Sequence, residues 1–399
     1  MKLIALAAAV IGLSSAVLAQ PLEGLWSATV TLDDLQVPFR IGFSGDGVNV
    51  KGWFFNGDEK VPSTSGVLAN GALTLRFDDY AAKLEAKLQN GVLEGTYRKG
   101  ARVFAFHAVP YHADGAASGS APSIAGLWDV EVESSKGEKA WHLIVQQHGA
   151  EVSAAILRVD GDTGLLTGSY RDGKFVLSHF SGARPSLLSL TPAADGSLKV
   201  VQNGKEMTAI RSAEARAKGL PAPDDPMQHT TMKDPNAALP FSFPDLNGQT
   251  ISNSDARFQN KVVLVAIGGS WCPNCHDEAP YLEELYRKYH KAGLEVVALS
   301  FEEGEQAKDP AQLRAFVKQY GLEYPVLLAG EPSELNAKLP GAVNLNAWPT
   351  TFFVGRDGRV RAIHTGFAGV ASGELHDEMA TEIEGTITSL LAENMTAAK

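Results

Sequence analysis

The sequence predicts a multidomain chain: two tandem antiparallel all-β domains followed by an α/β domain. Three observations carry this. A repeat with an offset of 102 residues runs through the first half, both of its copies are cut into short alternating segments by turn pairs, and the pattern changes after a proline-rich stretch. A length of 399 residues suits two or three domains, and three are expected.

The repeat pairs Leu22-Glu23-Gly24-Leu25-Trp26 with Ile124-Ala125-Gly126-Leu127-Trp128. Its register then holds: Phe39 falls on Trp141, Ile41 on Leu143, Gly66 on Gly168 and Leu75 on Leu177. Asn70-Gly71 and Asn90-Gly91 in the first copy, with Asp160-Gly161, Asp172-Gly173, Asp195-Gly196 and Asn203-Gly204 in the second, read as hairpin turns. Alternation such as Trp26, Ala28, Val30 and Leu32 against polar neighbours gives strands with one buried face. Each copy is therefore expected to be a small sandwich or barrel of about six to eight strands. Trp26 and Trp128 are core positions by their equivalence.

The expected boundaries follow from composition. Residues 1–19 read as a secretory signal peptide: Lys2 precedes an apolar run, and Val17 and Ala19 place cleavage after Ala19. The run is short for a membrane span, no later stretch is long enough for one, and the mature chain is expected outside the cytoplasm, in the periplasm or an equivalent compartment. Residues 20–113 and 124–212 hold the two β-domains, joined by the Ala/Gly/Ser-rich segment 114–123. Residues 213–237 form a Pro-rich linker, which predicts few contacts across it, and residues 238–399 form the last domain.

In that last domain the order is a hairpin closed by Asn247-Gly248, strand Val262 to Ile267, and a helix starting near Cys272 with Leu282, Leu285, Tyr286 and Tyr289 on one face. Strand Leu294 to Ser300, helix Ala311 to Tyr320, and strands around Val326 to Leu328, Thr351 to Val354 and Val360 to His364 come next, then a helix over roughly Gly373 to Ala392. A βαβ unit followed by a hairpin and a helix is a thioredoxin-like order.

Only two cysteines occur, Cys272 and Cys275, too few and too close for a stabilising disulfide framework. They lie in Trp271-Cys272-Pro273-Asn274-Cys275, where a strand ends and a helix begins. Cys272 thus meets the positive end of the helix, which favours a thiolate, and Cys275 lies one turn further in, within reach of a mixed disulfide on Cys272. Such an exchange needs no cofactor.

With Phe243-Pro244-Asp245-Leu246-Asn247-Gly248, Lys261-Val262-Val263-Leu264-Val265, Glu278, Pro280 and Trp348-Pro349-Thr350-Thr351-Phe352, the stretch from about Ala238 to Leu391 resembles the TlpA/ResA-like family of extracytoplasmic thioredoxin-fold oxidoreductases. The resemblance implies that Cys272 is the exposed nucleophile, Cys275 the resolving thiol, Pro349 a cis-proline facing the pair, and Glu278 the carboxylate that handles protons near the thiols. It implies that Trp271 and Trp348 border the substrate, that the partners are protein disulfides or dithiols with an unidentified redox partner, and that reduction is the favoured direction. The sequence departs from the family at Gly268-Gly269, which leaves less side-chain bulk beside the site, and at Trp348, where relatives carry a smaller residue.

Other functions fit less well. A formal net charge of -11 opposes nucleic-acid binding. Cys272-x-x-Cys275-His276 also spells a c-type haem attachment site, though haem attachment requires neither the preceding strand nor Pro280 or Pro349. A zinc site would need two further ligands, which no second cysteine pair or histidine spacing supplies. A peroxidase of the peroxiredoxin kind would need Thr or Ser where Gly269 stands and Pro where Val265 stands. A binding protein, in which the tandem β-domains capture a ligand or partner, is the alternative from a different class.

Overall fold

The computed structural model describes residues 22–112 and 121–393, so the expected signal peptide and most of the first linker lie outside the described residues. Within residues 24–110, nine antiparallel strands form one sheet from Gly24–Leu32 to Arg102–Pro110, and the first strand pairs with the last, Trp26 opposite Pro110. The two sheet ends are bridged where Ser63 N–H donates to Gly52 O and Thr64 N–H to Arg76 O. Within residues 126–211, nine strands again form one sheet, and eight of them close a ring because Ala140–His148 pairs with both Gly126–Glu131 and Glu151–Arg158. The ninth, Gly161–Asp162, is a two-residue strand on the edge. Nine strands per sheet exceed the expected six to eight, because short strands such as Glu59–Pro62 and Gly161–Asp162 carry too few residues to show alternation.

The repeat is visible in hydrogen bonds as well as in sequence. Trp26 Nε1–H donates to Leu22 O at 3.0 Å, and Trp128 Nε1–H donates to Ile124 O at 2.9 Å, so both indoles are buried with their one polar atom satisfied. The two sheets are not separate bodies. Phe180, fully buried, leaves the second sheet to pack tilted or edge-on among Phe39, Phe54 and Tyr97 of the first, with centroids 4.6 to 5.2 Å apart. Tyr97 Oη donates to Gly182 O at 2.6 Å beside it.

The C-terminal region is a five-stranded sheet in the order Val326–Gly330, Leu294–Phe301, Val262–Gly268, Thr350–Val354, Val360–Thr365, the first three parallel and the last two antiparallel. Its central strand is apolar throughout because both faces are covered. Val262, Leu264 and Ala266 meet helices Pro273–Tyr289, Ala311–Tyr320 and Glu374–Ala392, while Val263, Val265 and Ile267 meet Phe241, Phe258 and Leu335. This is the thioredoxin-like arrangement. Among the described residues no helix is long and apolar enough to cross a membrane.

The proline-rich stretch is more structured than expected. A short helix, Ser212–Ala217, opens it, His229 bridges Asp224 at 3.0 Å and Asn346 at 2.9 Å, and Thr231–Met232 pairs with Ala342–Val343. Prolines remove regular elements but not side-chain contacts, and composition could not reveal the latter.

Candidate active site around Cys272 and Cys275

Cys272 is the N-cap of helix Pro273–Tyr289: its Sγ accepts at 3.3 Å from Cys275 N–H, an amide of the first turn that it shares with Cys272 O. Pro273 follows at the first helical position, where its missing N–H costs nothing. Cys272 Sγ–H lies 3.7 Å from Trp348 O, and the Trp348–Pro349 bond is cis. Both cysteines are free thiols, and the helix end places Cys272 where negative charge is favoured. Cys275 is buried, and burial pushes its thiol well above the ordinary range, helped by the hydrogen bond and charge of Cys272 and by the charge of Glu278.

Glu278 lies on the same helix, buried, with Thr351 Oγ1 donating to its Oε1 at 2.7 Å. One hydroxyl does not offset desolvation, so burial pushes Glu278 up to about 8. A cavity of about 30 Å³, otherwise lined mostly by apolar side chains, is bordered by both Cys275 and Glu278.

The glycine pair ahead of the motif is filled rather than open, which corrects the expectation of reduced bulk. A Cβ on Gly268 would stand 3.2 Å from Cys275 Sγ, and one on Gly269 would collide with the indole of Trp271 and with Phe301 O. Gly269 thereby lets Trp271 Nε1–H donate to Phe301 O at 2.8 Å. Trp348 lies edge-on to Trp271, centroids 5.5 Å apart, and to Phe301 at 5.7 Å. The six residues singled out from sequence, Trp271, Cys272, Cys275, Glu278, Trp348 and Pro349, thus converge on one helix start and the strand facing it.

Sequence reasoning missed the groups that support and cover this start. Glu302, fully buried, accepts from Ser270 N–H at 2.9 Å and Ser270 Oγ–H at 2.6 Å, fixing the loop before Trp271. Lys99 Nζ, from the first sheet, donates to Trp271 O at 3.3 Å, and Tyr80 stacks on His276 at 4.0 Å with 14° between the rings. Gln312 Nε2 bridges Ser270 O and Asp79 O, and from the second sheet Asp160 O accepts from Asn274 Nδ2 at 2.5 Å. Gly161, at φ +114°, must be glycine there, because a Cβ would strike Phe367 O and Asn274. The β-sheet partners sit at least 100 residues away in sequence, where no periodicity announces them. Cys272 is accordingly only 3% exposed, not the exposed thiol that was expected.

His276 does not fit an iron ligand. Its Nε2–H donates to Ser270 O at 2.7 Å, its Nδ1 accepts from Tyr320 Oη–H at 2.9 Å, and burial lowers its pKa to about 3. With both nitrogens used and one face under Tyr80, no lone pair is left for haem.

Residues 235–363 match the AhpC/TSA family. The chain is 36% identical over 120 residues to a thiol-disulfide oxidoreductase ResA of Bacillus cereus, covering 30% of this chain and 62% of that protein. It is 32% identical over 131 residues to the ResA of Geobacillus kaustophilus, covering 33% of this chain and 68% of that one. Among solved structures, a secreted thiol-disulfide isomerase from Corynebacterium glutamicum aligns with 23% identity and a TM-score of 0.33, covering 43% of this chain and 96% of that one. The chain thus spans 62% of the length of the Bacillus relative, and residues 22–234 lie outside the family match.

Proposed function

The chain belongs to the ResA family of thiol-disulfide oxidoreductases through its C-terminal region, and we propose that it is an exported protein that exchanges disulfides with protein substrates through Cys272 and Cys275, acting as a reductase. The observation that carries this reading is the pair itself: Cys272 Sγ capping the helix with Cys275 one turn inside and Trp348 O opposite. Cys272 thiolate attacks one sulfur of the substrate disulfide, forming a mixed disulfide and releasing the other sulfur as a thiolate that takes a proton from water. Cys275 then gives its proton to the Glu278 carboxylate and attacks Cys272 Sγ. The second substrate thiol leaves, two electrons have passed to the substrate, and the chain holds a Cys272–Cys275 disulfide. A separate dithiol partner must return it to the reduced state. Pro349 would hold the backbone of Trp348 beside the mixed disulfide, with Trp271 and Trp348 bordering the substrate.

The test uses the reduced full-length protein and a disulfide-bonded protein such as insulin. Wild type is expected to reduce it stoichiometrically, Cys272→Ser to be inactive, and Cys275→Ser to accumulate a mixed disulfide visible by non-reducing mass spectrometry. Absence of that adduct removes the reading. Equilibration with glutathione tests direction: a pair more oxidising than glutathione rejects the reductase role.

A further inference from the structure

We propose that the first β-sheet completes the redox site: Lys99, at the end of strand Val92–Lys99, is a positioning residue whose ammonium favours ionisation of Cys272. This rests on the dithiol reading above and adds a group to it from outside the thioredoxin-like region.

The geometry holds the ammonium at one place. Lys99 Nζ donates to Trp271 O at 3.3 Å, the carbonyl immediately before Cys272, and lies 4.8 Å above the ring of Tyr80. Tyr80 is itself stacked on His276 in the first turn of the active-site helix. Both holding partners are neutral, and among the described residues Lys99 makes no ion pair within 4 Å. With no ion pair to neutralise it, this half-buried ammonium meets the charge of Glu303 and, once ionised, that of Cys272, the residue after the carbonyl that holds it. The surroundings agree. Burial lowers Lys99 to about 8, Arg184 and Arg102 push it the same way, and Glu303 and the Cys272 thiolate push it back. Asp79 also faces it, with its own pKa raised by burial, and His276 beside it is neutral. The crowd of cations makes the ammonium costly without negative neighbours; Glu303 is one, and the Cys272 thiolate adds a second.

Because Lys99 belongs to a sheet outside the region shared with relatives, the acidity of Cys272 becomes a property of the docked molecule rather than of the CxxC motif alone. The ionisation of Cys272, followed by thiolate absorbance against pH in full-length Cys275→Ser protein, reads this directly. Lys99→Met is expected to raise the Cys272 pKa by about one unit, roughly a tenfold loss of thiolate at a given pH below it, and to slow iodoacetamide alkylation in proportion. Lys99→Arg is expected to restore most of both, which a packing role for the lysine stem would not predict. An unchanged titration in a Lys99→Met protein with wild-type circular dichroism overturns the proposal.

Should Lys99→Met fail to fold, the coupling is read from the other side, since it is reciprocal. In Cys272→Ser the Lys99 ammonium, followed by NMR, should titrate about one unit lower than in the Cys275→Ser protein, and equal titrations overturn the proposal. Insulin reduction by wild type runs alongside. A protein that fails there while Lys99 and Cys272 remain coupled loses the substrate reading but not this one.

Discussion

Around neutral pH Glu278 is mostly a carboxylic acid, because burial pushes it up to about 8 with only the Thr351 hydroxyl in opposition. It can accept the Cys275 proton only when ionised, so resolution of the mixed disulfide should quicken as pH rises through about 8. In Glu278→Gln that limb should vanish and resolution should slow by about a hundredfold, a typical loss for a proton acceptor. The Cys275 thiol, whose elevation owes most to burial and part to Glu278, should titrate lower in the same variant. Stopped-flow release of substrate from the mixed disulfide measures the rates, and a variant with the wild-type pH profile would make Glu278 a spectator. The site residues were legible for a local reason: Cys272, Cys275 and Glu278 share one helix, where spacing alone puts them within two turns. Lys99 and Glu302 were not, because a lysine ending a strand and a glutamate after one read as solvated charges.

At the scale of elements, the strands and helices of the C-terminal region fall where apolar runs and three-to-four spacing put them. Helix Ala311–Tyr320 matches its expected limits, and the active-site helix buries Leu282 and Leu285 on the expected face. The opposite face is buried too, through His276, because Tyr80 of the first sheet region stacks on it. A hydrophobic stripe cannot report a face buried through polar side chains. The turns were legible where asparagine or aspartate precedes glycine with both at positive φ, as at Asn70-Gly71, Asn90-Gly91, Asp172-Gly173 and Asn203-Gly204. Gly269 joins strand to helix and tests the packing of that junction. Gly269→Ala should break the Trp271 to Phe301 hydrogen bond and cost about 1–3 kcal/mol through overpacking. A lower urea midpoint with an unchanged slope, together with altered tryptophan fluorescence, would show it, and an unchanged midpoint would mean the indole moves aside freely.

For the whole molecule, the expectation of few contacts around a proline-rich linker fails because the assembly is held by pairs that carry no sequence signature. Phe180 enters the first core, Tyr80 covers His276, and Ser372 Oγ donates to Asp162 at 2.7 Å. Where the two β-sheets and the active-site helix meet, a cavity of about 320 Å³ collects Glu59 and Asp79 from the first sheet region, Asp162 from the second and Asp277 from the helix. Asp277 borders that cavity with part of its surface exposed to solvent, and desolvation by the protein around it, with the charges of Asp162 and Glu59, pushes it up to about 8. Arg158 lines the cavity and lowers Asp162, but it is not among the causes acting on Asp277. The neighbours that raise Asp277 come from both β-sheets, so undocking would return it toward 3.8, and the docked form therefore holds the extra proton. The stabilisation of docking is complete below about pH 4 and is lost as pH rises through about 8, at no more than tenfold per pH unit. Small-angle scattering from about pH 5 to 9, a range that spans this loss, should show wild type expanding toward the alkaline end, with Asp277→Asn staying compact because it has no proton to lose. If both expand together, a group other than Asp277 controls docking; if neither expands, the hydrogen bonds from Asn274 and Gln312 hold the sheets on their own.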